Sequence, residues 1–254
     1  MSESDNTSAA LRAFHVVEEV SRADAPLSLT EIVRIVNLPK PTVYRILTTL
    51  EESGLLIREP DGKHYIPGER LMRMCGDILL RSPQRSARHA IIEELVEQIG
   101  ETCNLTIPNG NYVMYLDRVE TDWPLKVNLH AGSKVPLYAS ASGKLFLANM
   151  IKRSRDRFLQ NTPLLKHTKN TLSEYKLLEN EFKKIREVGY AVDNEEYLMG
   201  IACLAVPVTD DNNRVVGAVA THFPTSRLSL SEAQQHLPAM RVAAEAISTS
   251  VDWS

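Results

Sequence analysis

Residues 38–54 have the sequence Leu38-Pro-Lys-Pro-Thr-Val-Tyr-Arg-Ile-Leu-Thr-Thr-Leu-Glu-Glu-Ser-Gly54, which decides the fold of the N-terminal third. Pro41 suits a first helical turn, where a missing N–H costs nothing, and Gly54 suits a left-handed C-terminal cap. One face of this helix is apolar and carries Val43, Ile46, Leu47 and Leu50. At about 100° per residue, the opposite face carries Pro41, Tyr44, Arg45, Thr48 and Thr49.

Two shorter patterns before this stretch predict two more helices. Ser28 and Glu31 form a capping-box pattern ahead of a helix over residues 29–36, and Asn37-Leu38-Pro39 is a tight connection to the next helix. Before the breaker Asp24-Ala25-Pro26, a stripe along one face predicts a first helix and consists of Ala10, Phe14, Val17 and either Val20 or Ser21. Two short helices joined by a turn, with a polar outer face, describe a helix-turn-helix.

A hairpin pattern follows the third helix. The β-forming residues 55–57 and 64–66 flank Asp61-Gly62, a strong turn signal, and predict a two-stranded wing. Arg58, Lys63 and His64 are then placed to meet phosphates or a minor groove. The alternative is a plain three-helix packing module with a solvated polar face.

The middle of the chain predicts a connecting helix over residues 69–80. Its apolar residues suit either a dimer seam or a face that docks onto a domain; they are Leu71, Met72, Met74, Ile78 and Leu79.

The remaining sequence alternates between helical and strand patterns. Helices are predicted over residues 87–99, 145–151 and 172–188, the last capped by Thr171 with Glu174 and ended by Gly189. Strands are predicted over residues 102–107, 112–119, 125–129, 201–208 and 214–222. Ser229 with Glu232 opens a final helix that Pro238 kinks. The order predicts an α+β layered domain.

Composition sets limits on function. The formal charge is −3, so a DNA site must be a local patch rather than a property of the whole chain. No apolar run approaches the roughly 20 residues of a membrane helix, and no secretion signal is present, which predicts a cytoplasmic protein without a membrane partner. The three widely spaced cysteines give no metal-ligand spacing, and no Walker loop or Rossmann fingerprint occurs, so we expect neither metal nor cofactor.

The chain resembles the IclR family of bacterial regulators from about residue 10 to residue 251. The resemblance rests on residues 29–32, 38–47, 50–55, 65–68, 115–119, 137–144 and 189–196, and on Gly200, Cys203, Ala205, Pro207 and Val208. Pro41 replaces the usual Ser and Tyr44 the commonest His. The resemblance implies a winged helix-turn-helix domain over residues 1–72, a linker helix over 73–84 and a GAF-like effector-binding domain over 85–254.

The resemblance also implies the contacts of a small-molecule effector. The family's effector contacts correspond to Ala141, Ser142, Asp193, Ile201, Cys203, Ala220 and His222. Exposed N–H groups at the start of a helix at Ala141 and Ser142 would suit a carboxylate, and an imidazole at position 222 would make the pocket more basic. Each residue has a plainer alternative: Cys203 as a buried apolar side chain, His222 as a strand-end surface residue, Asp193 as a loop acceptor.

Two other functions remain open at this point. Cys203, His222 and Asp193 have the residue types of a nucleophilic triad, which would suit a thiol-dependent enzyme. However, Cys203 lies in an apolar strand without an activating helix N-terminus, so we expect no catalysis. A domain that only mediates dimers would instead have a filled interior without converging polar groups.

The sequence therefore predicts a DNA-binding regulator whose partners are an operator duplex, a small organic-acid effector, and a second copy of the chain in a homodimer or tetramer. An aromatic acid is one form of that effector. A ligand sensor that does not bind DNA is the alternative. The expected DNA-binding residues are Lys40, Pro41, Thr42, Tyr44, Arg45, Thr48, Arg58, Lys63 and His64.

Overall fold

The computed structural model describes residues 8–23, 25–80, 85–121, 123 and 133–250. The chain divides into two compact units, residues 1–77 and 78–254, so the division falls inside the helix Glu69–Leu80. Each unit has its own hydrophobic core.

Three helices form the body of the first unit: α1 (Ala9–Arg22), α2 (Leu29–Val36) and α3 (Lys40–Glu52). The capping box at α2 is confirmed, because Ser28 Oγ accepts from the Glu31 amide and the Glu31 carboxylate accepts from the Ser28 amide at 2.7 Å. Asn37 ends α2 in the left-handed conformation, which turns the chain sharply into α3.

The predicted apolar stripe of α1 is confirmed at Val20, which is buried, and at Val17, which packs against the core, but it is wrong at Ala10 and Phe14. Val16 and Val20 are the buried residues of this helix, whereas Phe14 is 67% exposed. The face is set by contact with α2 and α3, where Ile32, Val43 and Leu47 are fully buried. Phe14 is too far around the helix to reach them.

The wing is a three-stranded antiparallel sheet in the order β1 (Leu27–Ser28), β3 (His64–Pro67), β2 (Leu56–Arg58). The predicted two-stranded ribbon is therefore joined by a short strand that precedes α2. Gly54 and Gly62 both have positive φ, at 73° and 67°, as their predicted cap and turn positions require. The helix α4 (Glu69–Leu80) follows the wing, as predicted.

The second unit is built on a six-stranded antiparallel sheet with the order β6-β5-β4-β9-β8-β7. The strands are β4 (Thr102–Asn109), β5 (Tyr112–Val119), β6 (Lys134–Pro136), β7 (Ala191–Asn194), β8 (Ile201–Thr209) and β9 (Val215–Pro224). The helices are α5 (Arg85–Ile99), α6 (Ala141–Asn149), α7 (Lys152–Asn161), α8 (Tyr175–Val188), α9 (Leu230–Ala233) and α10 (Leu237–Ser250).

Strand alternation gives this sheet two different faces. One face buries Leu105, Leu204 and Val219 in a core with residues of α5 and α10. The opposite face carries smaller side chains, such as Cys203 and Ala218, beneath α6 and α8. These small residues leave room for a cavity on the α6 side. The α+β fold class is thus confirmed.

Several boundaries differ from the prediction. The helix expected at residue 145 begins at Ala141, because the Ser140 side chain caps it by accepting from the Gly143 amide. The cap expected at Thr171 is wrong, since the Thr171 hydroxyl donates to the Glu196 carbonyl and α8 begins at Tyr175.

Two further predictions concern the second unit. Ser229 and Glu232 do form a capping box, but α9 is a single turn, and a 3-10 helix (Gln234–His236) separates it from α10. The break therefore precedes Pro238. The strand predicted over residues 125–129 lies outside the described residues.

Candidate functional site

The outer face of α3 is the candidate nucleic-acid interface. Lys40, Pro41, Tyr44 and Arg45 are exposed there, with Tyr44 at 54%. Thr42 and Thr48 are half-buried, and the Thr48 hydroxyl donates to the Tyr44 carbonyl within the helix. Pro41, Tyr44, Arg45 and Thr48 therefore share one side of α3, and Lys40 and Thr42 lie at its two edges.

Two of the predicted wing residues, Arg58 and His64, already contact acidic side chains of the same unit. Arg58 Nε donates to Glu51 Oε2 at 2.9 Å, and its guanidinium lies 5.0 Å from the ring centroid of Tyr65. His64 Nδ1 lies 2.5 Å from Asp61 Oδ2, while Lys63 is exposed. To bind phosphate, Arg58 would have to share or release its carboxylate partner.

The second unit contains a cavity between the small-residue face of the sheet and the start of α6. The space has a volume of about 410 Å³, which includes its opening to the solvent. Its lining residues are Val113, Tyr115, Val135, Ser140, Ala141, Ser142, Asp193, Tyr197, Leu198, Ile201, Cys203 and His222. A space of this size admits only a small molecule.

Six of the seven predicted effector contacts line this cavity. Ala220 does not; it is 1% exposed and packs into the neighbouring core, two positions from His222 along β9. Tyr115 and Tyr197 were missed. Alternation along β5 puts Tyr115 on the same side as Val113, which was a signal in the sequence, but nothing local marks Tyr197.

The start of α6 is fixed by close packing. A Cβ on Gly143 would lie 2.1 Å from the Leu137 carbonyl oxygen, so this approach requires glycine. Because the helix begins at Ala141, the amides of Ala141 and Ser142 belong to its first turn and have no carbonyl of the same helix to bind. They suit an anion.

His222 does not make the cavity basic, contrary to the expectation from sequence. Burial, and secondarily the charge of Arg118, lowers the pKa of His222 to about 3. Its Nδ1 lies 2.6 Å from Asn104 Nδ2, and its Nε2 lies 3.1 Å from the Tyr115 hydroxyl. The imidazole is therefore neutral near pH 7 and acts through directed hydrogen bonds.

Asp193 is the acidic group of the cavity wall. Its Oδ1 accepts from the Glu196 amide at 2.7 Å. Burial, followed by the nearby Glu196 charge, raises the pKa of Asp193 to about 7. Behind it, the fully buried Lys144 pairs with Glu196 and lies 3.5 Å from Glu181. Asp193 can thus take up a proton near neutrality.

Cys203 lacks the features of a reactive thiol. Burial raises the pKa of its thiol well above the ordinary value of 9.0. A buried thiol that keeps its proton is a poor nucleophile. Across the described residues, no group of three or more His, Cys, Asp or Glu side chains is arranged to hold a metal.

These features define a class: two-domain proteins that join a winged helix-turn-helix to an α+β domain with a small polar cavity. Residues 9–60 match the family model described as IclR helix-turn-helix domain, and residues 79–249 match Bacterial transcriptional regulator IclR C-terminal. The chain belongs to the IclR family of transcriptional regulators. The thiol-dependent enzyme is not favoured, because members of this family are regulators and not enzymes.

Known proteins resemble the chain over nearly its whole length. It is 41% identical to the probable transcriptional regulator SauR of Cupriavidus necator, over 94% of this chain and 95% of that one. The crystal structure of Thermotoga maritima IclR covers 96% of this chain and 98% of its own, with 30% identity and a TM-score of 0.65.

A third match shares the fold. An IclR homologue from Microbacterium hydrocarbonoxydans, crystallised with 4-hydroxybenzoate, is 22% identical, covers 96% of this chain and 98% of its own, and has a TM-score of 0.61. In the described part of this chain, no helix has the length and apolar character needed to cross a membrane.

Proposed function

We propose that the chain binds a specific DNA operator through α3 and the wing, and that a small organic acid in the cavity changes its affinity for that DNA. The exposed outer face of α3, with its apolar residues buried behind it, carries the DNA part of the proposal. Arg45 is the candidate for a guanine contact, since a guanidinium can donate two hydrogen bonds to one guanine edge. Lys40 and Lys63 suit phosphates.

The DNA part is tested by fluorescence anisotropy with the duplex upstream of the chain's own gene. Arg45→Ala should remain folded and lose about 1–3 kcal/mol of binding free energy on the operator, with little loss on an unrelated duplex. Arg153→Ala, which removes an exposed Arg on α7, is the matched control and should bind as the natural chain does. Equal losses on both duplexes would remove Arg45 from base recognition.

Salt dependence gives a separate test of the regulator itself. Each phosphate contact releases counterions, so operator affinity should fall steeply as salt rises. A chain that binds the acid but shows no salt-sensitive binding to any duplex would be a ligand sensor that acts without DNA.

The effector part rests on the polar groups that converge on the cavity from three separate segments. Ser142 lies at the start of α6, Asp193 on β7 and His222 on β9. In a domain that served only for dimerisation, burying these polar groups together would cost desolvation free energy without a ligand to offset it. A carboxylate at the first turn of α6, with Val113 and Ile201 as an apolar wall, would use both halves of the lining.

Thermal unfolding of the full chain tests the effector, with acetate, lactate, succinate, benzoate and 4-hydroxybenzoate as the panel. Benzoates are included because the Microbacterium homologue was crystallised with one. Stabilisation without turnover supports the effector role, and the same acid should change operator affinity by a coupling of about 1–3 kcal/mol. Stabilisation by no acid in the panel would favour the dimerisation module.

We also propose that the chain acts as a homodimer or a tetramer, with α4 as the connection between the units. Exposed apolar side chains support this: Met74 and Ile78 on α4 are 48% and 65% exposed, and Leu11 and Phe14 on α1 are 59% and 67% exposed. Light scattering after gel filtration tests it. A Met74→Asp, Ile78→Asp chain should shift toward the monomer if α4 forms the seam.

A further inference from the structure

A line of hydrogen bonds runs behind the cavity wall and begins at Arg118. Arg118 Nη1 donates to Asn104 Oδ1 at 2.8 Å, and only 5% of the Arg118 side chain is exposed. A guanidinium has no acceptor, so it can contact only the oxygen of the amide. This fixes the orientation of Asn104, whose Nδ2 must then point away from Arg118.

The orientation of Asn104 decides the tautomer of His222. Asn104 Nδ2 lies 2.6 Å from His222 Nδ1, so Nδ1 must accept. A neutral imidazole that accepts at one nitrogen carries its proton on the other. His222 Nε2 therefore donates to the Tyr115 hydroxyl oxygen at 3.1 Å. The direction of each bond follows from the fixed donor at Arg118.

Tyr115 is the last member of the line. Its oxygen accepts from His222, so its own proton is left for another partner. The Tyr115 side chain is 2% exposed, yet it lines the cavity together with Cys203 and Asp193. Burial raises the pKa of this phenol further above its ordinary value of 10.0, so the hydroxyl keeps its proton.

We propose that the line Arg118–Asn104–His222 sets Tyr115 as a hydrogen-bond donor into the cavity, which selects an effector that presents an oxygen acceptor to it. This inference rests on the proposed effector function and adds to it a residue that determines specificity. It also assigns a role to His222 that does not require a positive charge. His222 positions the phenol, and Tyr115 contacts the acid.

The tautomer can be measured without any effector. Nitrogen-15 histidine labelling of the full chain, with the His222 signals assigned by comparison with His222→Gln, distinguishes protonated from unprotonated ring nitrogens. We expect His222 at pH 7 to carry its proton on Nε2 and none on Nδ1. A proton on Nδ1, or on both nitrogens, would overturn the proposal.

The role of Tyr115 is measured by calorimetry with acetate, lactate, succinate, benzoate and 4-hydroxybenzoate. Tyr115→Phe removes the donor and keeps the ring, so the acid that binds the natural chain most tightly should bind about tenfold more weakly or worse. Tyr138→Phe is the matched control, since its hydroxyl donates to the Leu165 carbonyl outside the cavity lining. It should leave the affinity unchanged.

The outcomes separate this inference from the function on which it rests. Unchanged affinity in Tyr115→Phe, while the natural chain binds an acid, overturns the role of Tyr115 and leaves the effector function intact. If none of the five acids binds the natural chain, the effector function fails. In that case the tautomer of His222 is the remaining test of the hydrogen bonds from Arg118 to Tyr115. A proton on Nε2 supports them, and a proton on Nδ1 refutes them.

Discussion

Cys203 on β8 and His222 on β9 are register partners, and Asp193 on the edge strand β7 pairs with Cys203 from its other side. The three residue types of a thiol triad thus lie side by side across three strands. Their order is wrong for catalysis, because a base must contact the nucleophile and be oriented by the acid. The ring nitrogens of His222 contact Asn104 and Tyr115 instead.

Thiol labelling tests this arrangement. Cys75 is exposed on α4, whereas Cys103 and Cys203 are buried, and burial raises the pKa of Cys103 to about 12. In the native protein a disulfide reagent such as Ellman's should therefore label Cys75 within minutes and the other two only after unfolding. Peptide mass spectrometry locates the label.

Cys75→Ser is the control for that experiment and should abolish native labelling. Rapid modification of Cys203 in the folded Cys75→Ser chain would show an accessible thiolate and would reopen the enzyme interpretation.

The buried pair of Lys144 and Glu196 supports the acidic side of the cavity. Lys144 is 0% exposed, so Lys144→Met leaves Glu196 in the interior without its cation. We expect a loss of about 3–5 kcal/mol in the free energy of unfolding, measured by urea denaturation. The double variant Lys144→Met, Glu196→Gln removes both charges and should recover much of that loss.

A surface pair provides the comparison. Lys152 is 71% exposed and pairs with Asp156 one helical turn away, so Lys152→Met should hardly move the urea midpoint. If Lys144→Met shifted the urea midpoint no more than Lys152→Met does, the interior pair would contribute no more to stability than a solvated one.

Local signals account for the parts of the fold that the sequence predicted well. The Ser28–Glu31 box, the turn at Gly62 and the end of α8 at Gly189 each depend on residues within a few positions of one another. Because each of these features involves only neighbouring residues, it leaves a recognisable pattern of residue types at a fixed spacing. The wing and the helix-turn-helix followed from them.

Contacts between distant segments account for what was missed. β4 lies next to β9 in the sheet, and only this pairing places Asn104 beside His222, 118 positions later. Periodicity in the sequence gives no strand order, so neither the burial of His222 nor its contact with Asn104 could be foreseen. The family resemblance located most of the cavity residues, but it did not indicate the contacts behind them.

The close approach at Gly143 gives a third prediction. Gly143→Ala would put a methyl group against the Leu137 carbonyl and force the first turn of α6 away from the sheet. Overpacking of this kind costs about 1–3 kcal/mol, and the displaced turn should also weaken acid binding. Ser142→Ala, one residue away, adds no volume and serves as the stability control. A Gly143→Ala chain as stable as the natural one would show that α6 can shift freely.

The protonation of Asp193 makes the stability of the folded chain depend on pH. Its pKa rises from 3.8 to about 7 on folding, chiefly through burial, so between these values the folded chain holds a proton that the unfolded chain releases. This group's contribution to the free energy of unfolding must then fall as the pH rises through that window, by at most about 1.4 kcal/mol per pH unit. Asp193→Asn cannot ionise. In urea unfolding from pH 4 to 8, its free energy of unfolding should therefore rise relative to that of the natural chain as the pH increases. Asp210→Asn is the control and should differ from the natural chain by a nearly constant amount over this range, because backbone hydrogen bonding from Arg214 lowers the pKa of Asp210 below 3.8. A constant difference between Asp193→Asn and the natural chain at all pH values would mean that Asp193 stays ionised in the folded protein.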